Sequence, residues 1–226
     1  MITPDTTVFL VDVDNTLLDN DRIQADLKRH LEREFGAACR DRYWAILEDL
    51  FTELGYRDYL GALQRYRVEN PHDIHLLSMS SYLVDYPFAN RLYPQALDVV
   101  EHFRNWGRTA ILSDGDVVFQ PRKVERSGIW EAADGHVLIY IHKERELSDV
   151  EQRYPARHYI LVDDKPRILA AVKEIWGSRV TTILPRQGQY ANDTRVVASL
   201  PPADVTVERI GDLLAFDFPT MVKKSS

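Results

Sequence analysis

At 226 residues the chain is long enough to bury a sizeable core, either as one large domain or as a core carrying a smaller inserted module. Its 45% hydrophobic and 28% charged residues, with 10 Gly and 11 Pro, exclude collagen-like, extensively disordered and low-complexity classes. A net charge of −7 and a pI of about 5.5 argue against electrostatic binding to nucleic acid or anionic membrane, so any phosphate affinity must be local. Cys39 is the single cysteine, which rules out an intrachain disulfide and suits a reducing compartment. The opening residues Met1 to Thr7 lack a basic-then-apolar leader, and no apolar run approaches the about 18 residues needed to cross a bilayer. The expected location is cytoplasmic; composition sets no oligomeric state.

The first strong element is Val8-Phe9-Leu10-Val11, a continuous β-rich apolar run that stops in Asp12-Val13-Asp14-Asn15-Thr16. That pattern predicts a buried parallel strand ending in a polar turn. From Asn20 to Asn90 the spacing becomes helical: Ile23, Leu27, Leu31 and Phe35 recur every four residues. Trp44, Leu47, Leu50, Phe51 and Leu54 follow, then Tyr59, Leu60, Leu63 and Tyr66, then Ile74, Leu77, Met79, Tyr82 and Leu83. Four helices are predicted. A simple crossover needs only about a dozen residues, so this stretch reads as a helical module (20–90) inserted into a core made of 1–19 and 91–226.

Further strand-like runs occupy Thr109–Leu112, Val137–Ile141, Tyr159–Val162 and Val180–Leu184, with helical patterns between most of them. The alternation predicts an α/β fold with a Rossmann-like parallel sheet flanked by helices. Val205 and Val207 suggest an edge strand before a last helix at Ile210–Leu214, and Met221–Ser226 reads as a polar tail.

In an open α/β sheet, ligands bind at the carboxyl ends of the strands, so residues following each run should converge. The first strand ends at Asp12, Asp14 and Thr16, the second at Ser113, and the fourth at Asp163 and Asp164. Asp12 and Asp14 alternate around Val13 and can take different roles, although an acidic turn or helix N-cap is the ordinary alternative. Four neighbouring carboxylates repel unless protonated or bridged by a cation, and oxygen ligands beside a phosphate favour Mg²⁺ over Ca²⁺. Phosphoryl transfer also needs donors and cations, which Ser113 and a lysine can supply. Lys143 directly follows the third strand and is the preferred lysine, with Lys165 its chief competitor; Lys123, in Arg122-Lys123-Val124-Glu125-Arg126, reads as part of an exposed charged face.

Asp12-Val13-Asp14-Asn15-Thr16, Ile111-Leu112-Ser113, Lys143 and Val162-Asp163-Asp164 together resemble the ordered motif set of the haloacid dehalogenase superfamily. The resemblance implies that Asp12 attacks phosphorus, that Asp14 protonates the leaving group and then activates water, and that Ser113 and Lys143 hold phosphoryl oxygens. It also implies Mg²⁺ held by Asp163, Asp164, the Asp12 carboxylate and the Asp14 main-chain carbonyl, with Thr16 bracing the turn. The helical insert becomes a cap, with hinges near Asp19-Asn20 and Arg91-Leu92, that selects the leaving group. Two departures bear on substrate: Asp114-Gly115-Asp116 follows Ser113, and Glu144-Arg145-Glu146 follows Lys143 where relatives commonly carry Pro. The Asp114 carboxylate either points away or pairs with a basic residue of the insert.

The expected activity is therefore that of a Mg²⁺-dependent phosphoric monoester hydrolase acting on a small phosphorylated metabolite. A phosphotransferase or sugar-phosphate mutase, and a non-catalytic binding protein on the same scaffold, are the alternatives. The histidines form no zinc-ligand spacing, and no Gly-rich phosphate loop is present. Arg22, His75, Tyr82 and Arg91 are considered for substrate contact and left outside the site.

Overall fold

The computed structural model describes residues 6–218. Six parallel strands, β1 (Thr7–Val11), β2 (Arg108–Asp114), β3 (Val137–Tyr140), β4 (His158–Val162), β5 (Val180–Pro185) and β6 (Val205–Val207), form one sheet in the order β3-β2-β1-β4-β5-β6. The helices are α1 (Asn20–Phe35), α2 (Ala37–Leu54), α3 (Tyr59–Glu69), α4 (Leu76–Asp85), α5 (Ala96–Phe103), α6 (Phe119–Arg126), α7 (Ile129–Ala132), α8 (Leu147–Arg153), α9 (Pro166–Trp176), α10 (Gly188–Asn192) and α11 (Thr194–Ala198). This is the expected Rossmann-like α/β arrangement. The strand order reverses at β1, so the crevice at the carboxyl ends of β1, β2 and β4 is where a ligand site belongs.

β1 is buried at every position because it lies mid-sheet with layers on both faces, which is why its sequence does not alternate. Phe9 stacks on Phe103 of α5 with ring centroids 4.5 Å apart, while Val8 and Leu10 enter the opposite layer with Ile168 and Val172 of α9. β2 continues two residues past the predicted Leu112. Ser113 and Asp114 still pair with Ile139 and Tyr140, so the strand carries its polar end to the crevice.

α1 to α4 lie between β1 and β2, where four helices are predicted. Asp19 caps α1 by accepting from the Arg22 N–H at 2.9 Å, and Ile23, Leu27 and Leu31 are its buried stripe. In α2 the buried face runs through Cys39, Tyr43, Ile46, Leu47 and Leu50, a rotation from the predicted stripe that leaves Trp44 only partly covered. Ile74 precedes α4 and is 86% exposed, and Leu77 is 77% exposed; only Met79 and Leu83 of that predicted stripe are buried. The two crossings between this insert and the sheet lie side by side, with the Asp19 N–H donating to the Arg91 carbonyl at 2.7 Å and Leu18 bridging Leu92. The insert touches the core at Phe119 of α6, whose ring lies 4.8 Å from Tyr59 and 5.6 Å from Phe88.

The edge strand at Val205–Val207 forms, but the last helix, Ile210–Ala215, is a 3₁₀ helix, wound more tightly than the expected α-helix. The predicted tail Met221–Ser226 lies outside the described residues, as do Met1 to Asp5. Among the described residues no helix is long and apolar enough to cross a membrane.

Candidate active site

β1 ends in a tight turn in which the Leu17 and Leu18 N–H groups both donate to the Val13 carbonyl at 2.9 Å, with Asn15 at φ 59°. Asn tolerates that left-handed conformation better than most residues, and its side chain is clamped: Nδ2 donates to Asp21 and Oδ1 accepts from the Asp21 N–H. Gly188, itself at φ 68°, approaches so closely that an added Cβ would stand 2.4 Å from the Asn15 Cβ. The turn is thereby held by the insert on one side and by α10 on the other.

Asp12, at the end of β1, is 1% exposed. Its Oδ1 accepts from Lys143 Nζ at 2.5 Å and its Oδ2 from the Thr16 hydroxyl at 3.3 Å. Thr16 Oγ1 in turn accepts from the Asp164 N–H at 3.0 Å, tying the turn after β1 to the end of β4. Lys143 also lies 2.6 Å from Asp163 and donates to the Leu112 carbonyl at 3.1 Å, so it reaches the ends of β1, β2 and β4 together. Burial alone would drive its proton off, but Asp12 and then Asp163 outweigh burial and hold the ammonium above its ordinary range.

Oxygens of Asp12, Asp163 and Asp164 lie within 4.8 Å of one another, all three residues being buried. Neither carboxylate oxygen of Asp164 has a hydrogen-bond partner among the described residues. Burial, followed by repulsion from Asp163 and Asp12, pushes the Asp164 carboxyl well above the usual carboxylate range; burial, partly offset by Lys143, lifts Asp163 to about 6. Buried carboxylates with unsatisfied oxygens lack positive charge, and their geometry fits a hard divalent cation. The Asp12, Asp163 and Asp164 side chains are able to hold it; the expected Asp14 ligand is a main-chain carbonyl, which this grouping of side chains does not include.

The Asp14 carboxylate stands outside that triad. It lines a cavity of about 300 Å³ whose far wall comes from the insert (Phe51, Gly55, Tyr56, Arg57, Tyr59) and whose near wall includes Asp114 and Lys165. Asp12 does not line this cavity. Ser113 is 1% exposed and its hydroxyl accepts from Gln120 Nε2 at 2.9 Å. The structure thus gathers Asp12, Thr16, Lys143, Asp163 and Asp164 into one bonded cluster, and places Asp14 and Ser113 on the strand ends beside it.

One open alternative closes and one expectation changes. Asp114 pairs with no residue of the insert: its carboxylate accepts from the Lys143 N–H at 2.8 Å and lies 3.8 Å from Lys165, so the lysine that competed with Lys143 serves this loop. Lys123 is not on an exposed face. It is 1% exposed, and its Nζ donates to Asp14 at 2.7 Å and to Asn20 at 3.1 Å. The signal was present in the spacing, because Phe119, Gln120, Lys123 and Val124 fall three and four apart on one side of α6, and all four are buried.

A family model described as haloacid dehalogenase-like hydrolase matches residues 6–183, from β1 into β5, and so spans every residue of this cluster. The chain belongs to the haloacid dehalogenase-like hydrolases. A haloacid dehalogenase-like hydrolase of Burkholderia xenovorans LB400 is 64% identical and superposes with a TM-score of 0.90, covering 95% of this chain and 100% of that one. The HAD-hydrolase YfnB of Bacillus subtilis, bound to magnesium, is 15% identical with a TM-score of 0.63, covering 93% and 99%. The L-2-haloacid dehalogenase of Xanthobacter autotrophicus with chloropropionic acid covalently bound is 18% identical with a TM-score of 0.58, covering 92% and 96%. The last two likenesses show the fold alone. No curated protein matches the chain. Within the haloacid dehalogenase-like hydrolases, reaction and substrate therefore turn on this chain's own side chains.

Proposed function

We propose that this hydrolase is a Mg²⁺-dependent phosphatase that cleaves a small phosphate monoester through an aspartyl phosphate on Asp12. The observation that carries the reading is the division of labour between two carboxylates. Asp12 is buried against Lys143 and beside the Asp163–Asp164 pair, while Asp14 stands apart at the cavity wall. Displacing a halide from carbon requires no acid at the leaving atom, whereas expelling an alkoxide from phosphorus does, and Asp14 is suited to that task.

In the first half-reaction an Asp12 oxygen forms a bond to phosphorus as the ester P–O bond breaks, and Asp14 gives its proton to the departing oxygen. In the second, Asp14 takes a proton from water as that water's oxygen bonds to phosphorus and the bond to Asp12 breaks. Bound at Asp12, Asp163 and Asp164, the cation would neutralise phosphoryl charge. Lys143 and Ser113 bind the remaining phosphoryl oxygens. The helical insert acts as the cap: its Phe51, Tyr56, Arg57 and Tyr59 face the leaving group and exclude water.

The test is phosphate release from a panel of phosphorylated metabolites and aryl phosphates with Mg²⁺, using Asp12→Asn as the blank. Mg²⁺-dependent, stoichiometric release that the variant lacks is expected. Transfer between substrates without phosphate release would replace hydrolysis by phosphotransfer, and halide release from 2-haloacids without phosphatase activity would overturn the reading.

A further inference from the structure

Phe119-Gln120-Pro121-Arg122-Lys123-Val124-Glu125-Arg126 is among the most charged segments of the chain, yet α6 directs Lys123 into the interior while Arg122 and Arg126 pair with Asp85 at the surface. An ammonium is strongly hydrated and prefers water unless it finds fixed anionic or polar partners. Lys123 finds two, on two separate segments. Asp14 Oδ1 belongs to the turn after β1, and Asn20 Oδ1 belongs to the first residue of α1, where the chain enters the cap.

The rest of its setting is fixed as well. The Phe119 ring lies one turn back with its centroid 5.2 Å from Nζ, and that ring packs against Tyr59 of the cap and Phe88. Asp116 Oδ1 accepts from the Val118 and Phe119 N–H groups at 2.8 and 2.6 Å, which anchors the start of α6. The acid–base candidate of the site is thus held by a buried cation that comes from neither its own strand nor the metal cluster.

We infer that Lys123 is the positioning residue for Asp14. By holding Oδ1 it orients the other carboxylate oxygen toward the leaving group, and through Asn20 it makes that orientation depend on the seating of the cap. This rests on the phosphatase reading, since it assigns Lys123 a part in the proton transfer to the leaving oxygen. Lys143 does the corresponding work for Asp12, so the two carboxylates are served by two different buried lysines.

A positioning role makes a demand that a merely structural lysine does not. Acid assistance matters most when the leaving group is poor, so a misplaced Asp14 should slow esters of weakly acidic alcohols far more than esters of acidic ones. The experiment is kcat for p-nitrophenyl, phenyl and p-methoxyphenyl phosphate, which keep one shape while the leaving-group acidity varies, in wild type, Lys123→Met, Asp14→Asn and Asp14→Asn/Lys123→Met. The expected result is a loss of about tenfold or more on p-methoxyphenyl phosphate against less than about threefold on p-nitrophenyl phosphate. In the Asp14→Asn background, Lys123→Met should add no further loss. Should Lys123→Met melt below the assay temperature, Lys123→Gln and Asn20→Ala carry the same test, each steepening the leaving-group dependence. An equal loss across the series, or an undiminished loss without Asp14, overturns the inference and leaves the phosphatase reading standing. Wild-type failure to hydrolyse any of the three esters, together with failure across the metabolite panel, overturns both.

Discussion

Lys143→Met removes the cation that lies within 2.6 Å of both Asp12 and Asp163. The side chains of Lys143, Asp12 and Asp163 are 0%, 2% and 0% exposed, with Nζ 2.5 Å from one carboxylate and 2.6 Å from the other. Taking one partner from a buried ion pair leaves an uncompensated charge and costs about 3–5 kcal/mol. At this chain length each kcal/mol moves the melting temperature by about 2–4 °C, so the metal-free variant should melt about 6–20 °C below wild type. The deficit should depend on pH with a definite sign. Burial raises the folded-state carboxyl of Asp163 to about 6, above its ordinary value of 3.8, so the folded state binds that proton more tightly than the unfolded one. The associated stability is fully present below 3.8 and is lost as pH rises through about 6, and removing the Lys143 attraction raises Asp163 further. Protonation therefore relieves the variant more at pH 5 than at pH 8. Millimolar Mg²⁺ should raise its melting temperature more than it raises that of wild type, because the cation then supplies the missing charge. Calorimetric melts in chelator and in Mg²⁺ at both pH values decide the matter. A variant within about 2 °C of wild type in chelator at pH 8 would refute the assignment of Lys143 as the counter-charge.

The insert offers a second titration where it rejoins the core. Burial opposes ionisation of Asp26, but hydrogen bonds from the Tyr86 hydroxyl and Arg91 outweigh it and hold the carboxyl below 3.8. That stability is present above 3.8 and is lost as pH falls through the lower folded value, so Asp26→Asn should destabilise at pH 7 with a deficit that shrinks below about pH 4. A deficit constant from pH 7 to pH 3 in thermal melts would contradict this. Gly188→Ala places a Cβ 2.4 Å from that of Asn15 at φ 68°, so a loss of about 1–3 kcal/mol is expected by urea unfolding. It should be accompanied by weaker turnover, since Asn15 follows Asp14 directly; an unchanged midpoint would show that α10 does not hold the turn.

β1 was legible because a strand buried on both faces shows its burial as an unbroken apolar run, and the end of β4 could be read the same way, whereas β2 carries its ladder on through Ser113 and Asp114. That Asp12, Thr16, Lys143, Asp163 and Asp164 lie together, with Ser113 beside them, was legible for a related reason: parallel strands present their carboxyl ends on one edge, so residues following each run converge there. The count of helices in the insert followed from 3.6-residue spacing. Which side of each helix faces inward followed less well, and α2 and α4 bury different residues from those expected, because hydrophobicity alone does not say which of two adjacent apolar stripes has a partner.

Lys123 shows where local reading ends. In the chain it sits among Arg122, Glu125 and Arg126, which favour water, and only its spacing from Phe119, Gln120 and Val124 marks the buried side. Only the fold brings an acid from 109 positions earlier to within 2.7 Å of it and closes the insert beside the pair. Strand identity and the type of residue at each strand end are properties of short windows, set by side-chain period and turn chemistry, and the sequence carries them openly. The partner of a buried charge is a property of chain crossings, set by which distant segment supplies the compensating charge, and it exists only once the sheet, α6 and the insert have closed around Asp14.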